Sequence, residues 1–230
     1  YAGLSAALAL GRSLRKVLVI DSGNPCNRQT PHSHNFITQD GQKPKDIFEN
    51  AKAQVLEYDT VAFLHDFVID AQKTDKGFVV GTESGKSFSA RKLLFATGVA
   101  DQMPDLAGFA ACWGISVLHC PYCHGYEVKH ENIGILGNGE TAFELCRLID
   151  NWTERLTLFT NGKSTLTIPQ TEKIQSHHIK IVEKEIARLE HSEGKIQNIV
   201  FADESTIEIS AVFSRVSFKQ HSDIPSKMGC

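Results

Sequence analysis

The chain has 230 residues, 41% of them apolar, and a formal net charge of −3 at pH 7. That apolar share is enough to bury a core and excludes a disordered chain, while the slightly acidic balance argues against nucleic acid as a main partner. No run approaches the roughly 18 apolar residues that a membrane-spanning helix needs, so no membrane partner is expected.

Small residues from Ala2 to Arg12 predict a helix, followed by Lys16-Val17-Leu18-Val19-Ile20-Asp21, a short apolar run ending in a carboxylate that suits a buried parallel strand. Helix, strand and Asp form the back half of a βαβ unit. Ser22 to Gly41 reads as loop, and Pro44 to Glu57 as a helix with Ile47, Phe48, Ala51 and Val55 at helical spacing. Short strands are expected at Phe67–Ile69, Gly77–Val80 and Lys86–Phe88, with Gly81 and Gly85 marking turns. Lys92-Leu93-Leu94-Phe95-Ala96-Thr97-Gly98 predicts another buried strand running into a tight turn, and Asp101 to Gly114 a connection.

The pattern then restarts. Asn132–Leu136 is a predicted strand, Gly137–Ala142 a turn into a helix over Ala142–Asp150, and Arg155–Thr160 the next strand. Later strands are expected at Ile179–Val182, Ile196–Phe201 and Ile207–Ile209. Two βαβ beginnings predict an α/β chain with two Rossmann-like, three-layer nucleotide-binding domains. The first covers 1–112, the second 113–216, and 217–230 starts a return to the first. The ends, at Tyr1 inside a helix and at Lys227-Met228-Gly229-Cys230, read as those of a fragment.

Gly137-x-Gly139-x-x-Ala142 matches the dinucleotide fingerprint directly after a strand and at a helix start. Gly137 permits the tight turn, Gly139 lets a pyrophosphate approach the backbone, and Ala142 lets the helix pack on the strand. In the first unit Gly3 stands where the last glycine of such a fingerprint would be, and Asp21 follows at the distance of a ribose-binding carboxylate. No acid follows the second strand of the later unit, where Thr160-Asn161-Gly162-Lys163-Ser164 stands; a 2′-phosphate would meet Lys163, which leans toward NADPH over NADH.

Cys120-Pro121-Tyr122-Cys123 admits three readings. Zinc needs about four ligands, and although His119, His124 and His130 are near, adjacent residues such as Cys123 and His124 rarely reach one ion, so no metal is expected. A structural disulfide is uncommon in a reducing compartment. The spacing favours a redox pair, in which a thiolate attacks and His119 or His124 holds the proton; Glu127 then orients that imidazole or acts as base. The other cysteines, Cys26, Cys112, Cys146 and Cys230, are scattered, unlike the framework of a small secreted domain. A cytoplasmic protein with mostly reduced thiols and no signal peptide is expected.

In combination these motifs resemble the low-molecular-weight thioredoxin reductases, among the FAD-dependent pyridine nucleotide-disulfide oxidoreductases. "AGLSAALAL" is similar to the end of their FAD fingerprint, "LLFATG" to their flavin-domain strand and turn, and "CPYC" before "GILGNGETAFE" to their active dithiol inside the nicotinamide domain. "CPYCHGYE" is closer to the branch that includes fungal gliotoxin-type dithiol oxidases, since thioredoxin reductases proper more usually carry Asp where His124 stands. The resemblance implies FAD held by Gly3, Asp21, Arg28, Gln29, Asn35, Val68, Thr97 and Gly98. It implies NADPH or NADH held by Gly137, Asn138, Gly139, Glu140, Thr141, Thr160, Asn161 and Lys163. It implies catalysis by Cys120, Cys123, His124 and Glu127, with Cys123 nearer the flavin and Cys120 attacking the partner. Homodimers, a rotating nucleotide domain, and a thioredoxin-like protein or small disulfide or dithiol as partner also follow from it. The arginine run that thioredoxin reductases carry after the second strand stands here as Thr160-Asn161-Gly162, which keeps open a dithiol oxidase passing electrons to oxygen. A nucleotide-binding redox sensor without turnover is the third reading.

Overall fold

The computed structural model describes all 230 residues. In chain order the elements are α1 (Ala2–Arg12), β1 (Val17–Asp21), α2 (Pro44–Leu56), β2 (Val61–His65), β3 (Val68–Thr74), β4 (Gly77–Thr82), β5 (Ser87–Ala90), β6 (Val99–Gln102), α3 (Phe109–Cys112), β7 (Val117–Leu118) and α4 (Pro121–His124). Then come β8 (Ile133–Leu136), α5 (Gly139–Ile149), a 3₁₀ turn (Asp150–Trp152), β9 (Leu156–Phe159), α6 (Ile168–Ser176), β10 (Lys180–Val182), β11 (Ile186–Ser192), β12 (Lys195–Phe201), β13 (Thr206–Glu208), β14 (Ala211–Ser214), β15 (Ser217–Gln220) and α7 (Ile224–Lys227). The chain divides into two compact units: Tyr1–Arg28, Lys43–Ala100 and Phe218–Cys230 in the first, Gln29–Gln42 and Asp101–Ser217 in the second. Gln29–Gln42 thus clusters with the second unit, although its sequence lies within the stretch assigned to the first.

In the first unit β1 and β2 pair in parallel, Val17 beside Val61 and Asp21 beside His65. The apolar stripe of α1 and that of α2 bury Leu4, Ala7 and Val55 against Val61, with Phe48, Phe63 and Val19 around them. β3, β4 and β5 form an antiparallel meander whose core is Ala71 and Val80 with Ile224 of α7. Two expectations fail here. Lys92–Gly98 is neither a strand nor buried: it is extended without a ladder partner, Leu94 is 60% exposed, and only Leu93 and Phe95 tuck against the meander core. A strand needs a neighbour to satisfy its backbone groups, and no segment of this chain pairs with this one. Gly81 does not mark a turn; it lies inside β4, opposite a register shift between Val68 and Asp70 of β3, the position at which a strand glycine accommodates a bulge.

The second unit is built on a parallel sheet in the order β10-β9-β8-β14-β7. The central strands β8 and β14 are buried on both faces, and side chains along the sheet alternate between two cores. Ile133, Ile135, Leu158, Ala211 and Phe213 face α5 and α6. Leu136, Phe159 and Val212 face α3 and the antiparallel sheet β11-β12-β13. The result is three layers: helices, parallel sheet, antiparallel sheet. From β8 the chain winds through α5 to β9 and through α6 to β10, then returns by β11–β13 to β14 on the other side of β8. The strand order therefore reverses between β8 and β14, and a doubly wound sheet opens its ligand crevice at the carboxyl ends of such strands.

The helix predicted from Ala142 begins earlier, at Gly139, because Asn138 caps it by accepting the Gly139 N–H. The expected connection Asp101–Gly114 contains the end of β6 and the short α3. Helix α6 was not anticipated, although Thr167 and Gln170 form a reciprocal capping box at its start and Pro169 follows the cap.

Candidate active site

The Cys120–Cys123 pair sits at the start of α4, Cys120 as N-cap with Pro121 at the first helical position. One turn of helix brings the Cα atoms to 5.3 Å, and the sulfurs form a disulfide. The turn is held from outside. Tyr122 meets the Trp152 indole edge-on at a centroid distance of 5.8 Å, and Gly125 lies so close to that indole that a Cβ would come within 2.8 Å of it and 2.6 Å of the Pro121 carbonyl oxygen. On the other side His119 stacks on Trp113 at 5.8 Å, Trp113 stacks on Phe109 at 5.7 Å, and the Trp113 Nε1–H donates to Asp101 at 3.0 Å. His130 contributes no imidazole contact; its backbone N–H donates to the Trp152 carbonyl at 2.9 Å.

His124 is half-buried beside Cys123, and burial pushes its pKa down from the ordinary value of 6.5. Glu127 pulls it back up, and the imidazoles of His119 and His34 push it further down. The ring is therefore neutral at pH 7 and able to accept a proton. Glu127 in turn meets a residue that the sequence reading passed over: His34 Nδ1 lies 3.6 Å from its Oε1 and 3.7 Å from Asp40 Oδ1. Asp40 fixes the loop by accepting the Asn35 N–H at 2.8 Å, with Asn35 held at φ +59°. The signal for His34 was the His32-Ser33-His34 pair in a turn-rich loop; its proximity to Glu127 is tertiary.

The fingerprint residues come together at the carboxyl end of β8. Gly139 adopts φ +59°, a conformation open to glycine, and a Cβ there would lie 3.0 Å from Thr165 Oγ1. Asn138 Nδ2 donates to the Lys163 carbonyl at 2.9 Å, and Asn138 Oδ1 accepts the Thr165 N–H at 2.8 Å, so the Thr160–Thr165 loop is fastened to the start of α5. Glu140 and Thr141 occupy the first turn of α5, where the N–H groups beyond the Asn138-capped Gly139 have no partner within the helix, an arrangement suited to an anion. These residues fit the pyrophosphate of a dinucleotide.

In the first unit Gly3 lies in the first turn of α1, close enough to Ala96 that a Cβ would stand 3.3 Å from its Cβ. That helix start has no side-chain cap, which leaves its amides free for an anion. Asp21 ends β1; its Oδ1 accepts the Gly23 N–H at 2.7 Å, leaving Oδ2 for a ribose hydroxyl. Thr97 and Gly98 are exposed, Gly98 at φ +66°, and Val68 opens β3. Arg28 Nη1 reaches the Pro25 carbonyl at 3.4 Å. These positions fit the adenosine diphosphate part of FAD. Gln29 and Asn35, expected with them, belong to the second unit. A cavity of about 490 Å³ lies elsewhere, lined by Thr74, Asp75, Lys76 and Phe78 and by Ser89–Arg91 of the meander, and carries none of these residues.

Residues 1–230 match the family model for pyridine nucleotide-disulphide oxidoreductases. The chain is 37% identical over 173 residues to thioredoxin reductase tcpT of Claviceps purpurea, covering 72% of this chain and 54% of that protein. It is 34% identical over 214 residues to thioredoxin reductase aclD of Aspergillus oryzae, covering 89% and 68%. The match thus spans about half to two thirds of these relatives' length. Among solved structures, the putative thioredoxin reductase TrxB from Bacillus anthracis superimposes with a TM-score of 0.95 at 28% identity, over 100% of this chain and 77% of that one. The chain belongs to the FAD-dependent pyridine nucleotide-disulphide oxidoreductases and is thioredoxin reductase-like among them.

Proposed function

We propose that the protein is a flavin-dependent thiol-disulfide oxidoreductase that moves electrons from NAD(P)H by way of FAD to Cys120–Cys123 and on to an outside disulfide. The observation that carries this reading is the Cys120–Cys123 disulfide in one helical turn with His124, a neutral base, as the next residue. When bound, FAD supplies two-electron transfer between a nicotinamide and a disulfide.

The chain's own residues then perform the exchange. Once reduced, Cys120 attacks a partner disulfide as thiolate, forming a mixed disulfide and displacing one partner sulfur. Cys123 attacks that mixed disulfide, which restores Cys120–Cys123 and releases the partner as a dithiol. Two electrons leave the enzyme's thiols and two enter the partner. His124 takes the proton from the attacking thiol and returns it to the displaced sulfur, while Glu127, steadied by His34, orients the imidazole. His119 is stacked on Trp113, whereas no ring stacks on His124, which leaves His124 as the base of this step.

A thioredoxin-like protein or a small disulfide as partner is part of the same proposal, supported by the names of the relatives, and so is a reducing cytoplasm, supported by the unpaired Cys26, Cys112, Cys146 and Cys230; a homodimeric assembly is carried over from the family resemblance alone. No helix is long and apolar enough to cross a membrane. Anaerobic mixing of the flavoprotein with NADPH and with NADH tests the reading: rapid bleaching of the flavin band by either, together with loss of disulfide turnover in Cys123→Ser, supports it, and no bleaching by either removes it.

His124 also favours a second reading, a dithiol oxidase. A neutral imidazole can deprotonate an incoming dithiol, which attacks Cys120–Cys123, leaves as a disulfide, and passes its two electrons through the enzyme to oxygen, giving hydrogen peroxide. Peroxide formation from a small dithiol in air, without bleaching by a nicotinamide, selects this reading.

A further inference from the structure

The second unit has no acid directly after β9, where a Rossmann unit places the carboxylate that binds a ribose 2′-hydroxyl. The fold brings one there from the neighbouring strand. β10 runs parallel to β9 with Val182 abreast of Phe159. Glu183, the first residue beyond β10, therefore stands abreast of Thr160, the first beyond β9. Thr160 confirms the register: its N–H donates to the Val182 carbonyl at 3.0 Å.

The loop after β9 is fastened on every side. Thr160 Oγ1 donates to the Gly162 carbonyl at 2.6 Å, Asn161 Oδ1 accepts the Ile186 N–H at 2.7 Å, and Asn138 holds Lys163 and Thr165. Glu183 Oε1 accepts the Ser164 N–H at 2.6 Å. The carboxylate is exposed, forms no ion pair, and uses only that one oxygen toward the protein. The adjacent cation, Lys184, is engaged by Asp203 at 2.7 Å. Lys163 is the remaining positive charge on the loop, and no arginine is present to grip a phosphate by two parallel hydrogen bonds.

We propose that Glu183 sets the nucleotide specificity of the second unit: it accepts a hydrogen bond from a ribose 2′-hydroxyl and repels a 2′-phosphate, so that the site takes NADH in preference to NADPH. This rests on the reading of the second unit as a nicotinamide nucleotide-binding unit. A carboxylate only accepts hydrogen bonds, which matches a hydroxyl; a phosphate monoester carries about −1.5 to −2 at pH 7 and offers only acceptors. It also reverses the preference that Lys163 alone suggested.

The test is calorimetric titration of the purified flavoprotein with NAD⁺ and NADP⁺, and with 5′-AMP and adenosine 2′,5′-bisphosphate, for wild type and Glu183→Gln. Glutamine keeps the acceptor for Ser164 and removes the charge, so folding is unaffected, which unfolding curves check. Wild type binds the nucleotides lacking the 2′-phosphate more tightly, and Glu183→Gln shifts the ratio about tenfold toward the phosphorylated ones. Equal or tighter binding of NADP⁺ by wild type, or an unchanged ratio in the variant, overturns the proposal while leaving nucleotide binding intact. Failure of wild type to bind either dinucleotide overturns the nucleotide-binding reading and the proposal together.

Discussion

Gly125→Ala separates packing from backbone preference at the dithiol. Gly125 caps α4 at φ −65°, ψ −32°, a conformation alanine adopts freely, so the backbone alone makes the substitution favourable by about 0.5–1 kcal/mol. Packing opposes it. The added Cβ would lie 2.6 Å from the Pro121 carbonyl oxygen and 2.8 Å from the Trp152 indole, where ordinary contact begins at 3.4 Å. The indole is fixed by Tyr122, and the Pro121 carbonyl accepts the Gly125 N–H, so relief requires α4 itself to shift. Two contacts under 3.0 Å place the cost in the upper part of the range of about 1–3 kcal/mol that overpacking takes, at about 2–3 kcal/mol, which outweighs the backbone gain and predicts a net loss of about 1–2.5 kcal/mol. Urea unfolding of the oxidised protein measures it, and tryptophan emission reports the Trp152 displacement. Gly41→Ala is the reference: at φ +78° with nothing within 4 Å of its Cβ, it carries backbone strain alone, about 1–2 kcal/mol. A Gly125→Ala protein as stable as wild type or more so, with unchanged emission, would refute the packing assigned to the Cys120–Cys123 turn.

Three further outcomes follow. His124 has a lowered folded pKa, so below 6.5 the unfolded chain binds its proton first and stability falls as the pH drops toward the folded value; urea midpoints across pH 5–7 should decline less steeply for His124→Gln than for wild type, and equal slopes contradict the assignment. Thiol titration should find the two exposed free cysteines, Cys26 and Cys230, in the oxidised native protein, and Cys120 and Cys123 in addition after mild reduction. Cys112 and Cys146 should react only on unfolding, since burial raises both thiols and, with help from Asp150, pushes Cys146 to about 12. Ser116 is buried; its Oγ donates to the Gly194 carbonyl at 2.6 Å and accepts the Ile196 N–H at 2.9 Å, so Ser116→Ala orphans two backbone groups and should cost about 1–3 kcal/mol in chemical unfolding.

What the sequence disclosed depended on the range of the interaction that writes each feature. α1 was readable from its run of small residues and α2 from its apolar spacing, both local, and the α5 turn from its glycine spacing. α6 was equally local, its Thr167–Gln170 box in plain view, and went unread for want of a long apolar stripe. β14 carries four buried residues but no alternation, since both its faces meet cores, and a run that short has no period to detect. Lys92–Gly98 shows the converse: an apolar run with strand composition stays extended and partly exposed because strand identity is conferred by a neighbour.

The dithiol, His124 and the fingerprint are contiguous in sequence, and their chemistry could be inferred from residue type. His34 against Glu127 and Glu183 against Ser164 could not, because the first pair is made by tertiary packing of a distant loop and the second by the register of β10 on β9. Glu183 carries this furthest. From sequence alone the loop after β9 holds one lysine and no acid, and the sign of its field comes out positive. In the fold, a single step of parallel register adds a carboxylate to the same loop. If Glu183 sets the nucleotide preference as proposed, that preference is written in the pairing of β10 with β9, and substitutions that shift that pairing should alter it even where no residue of the loop is changed.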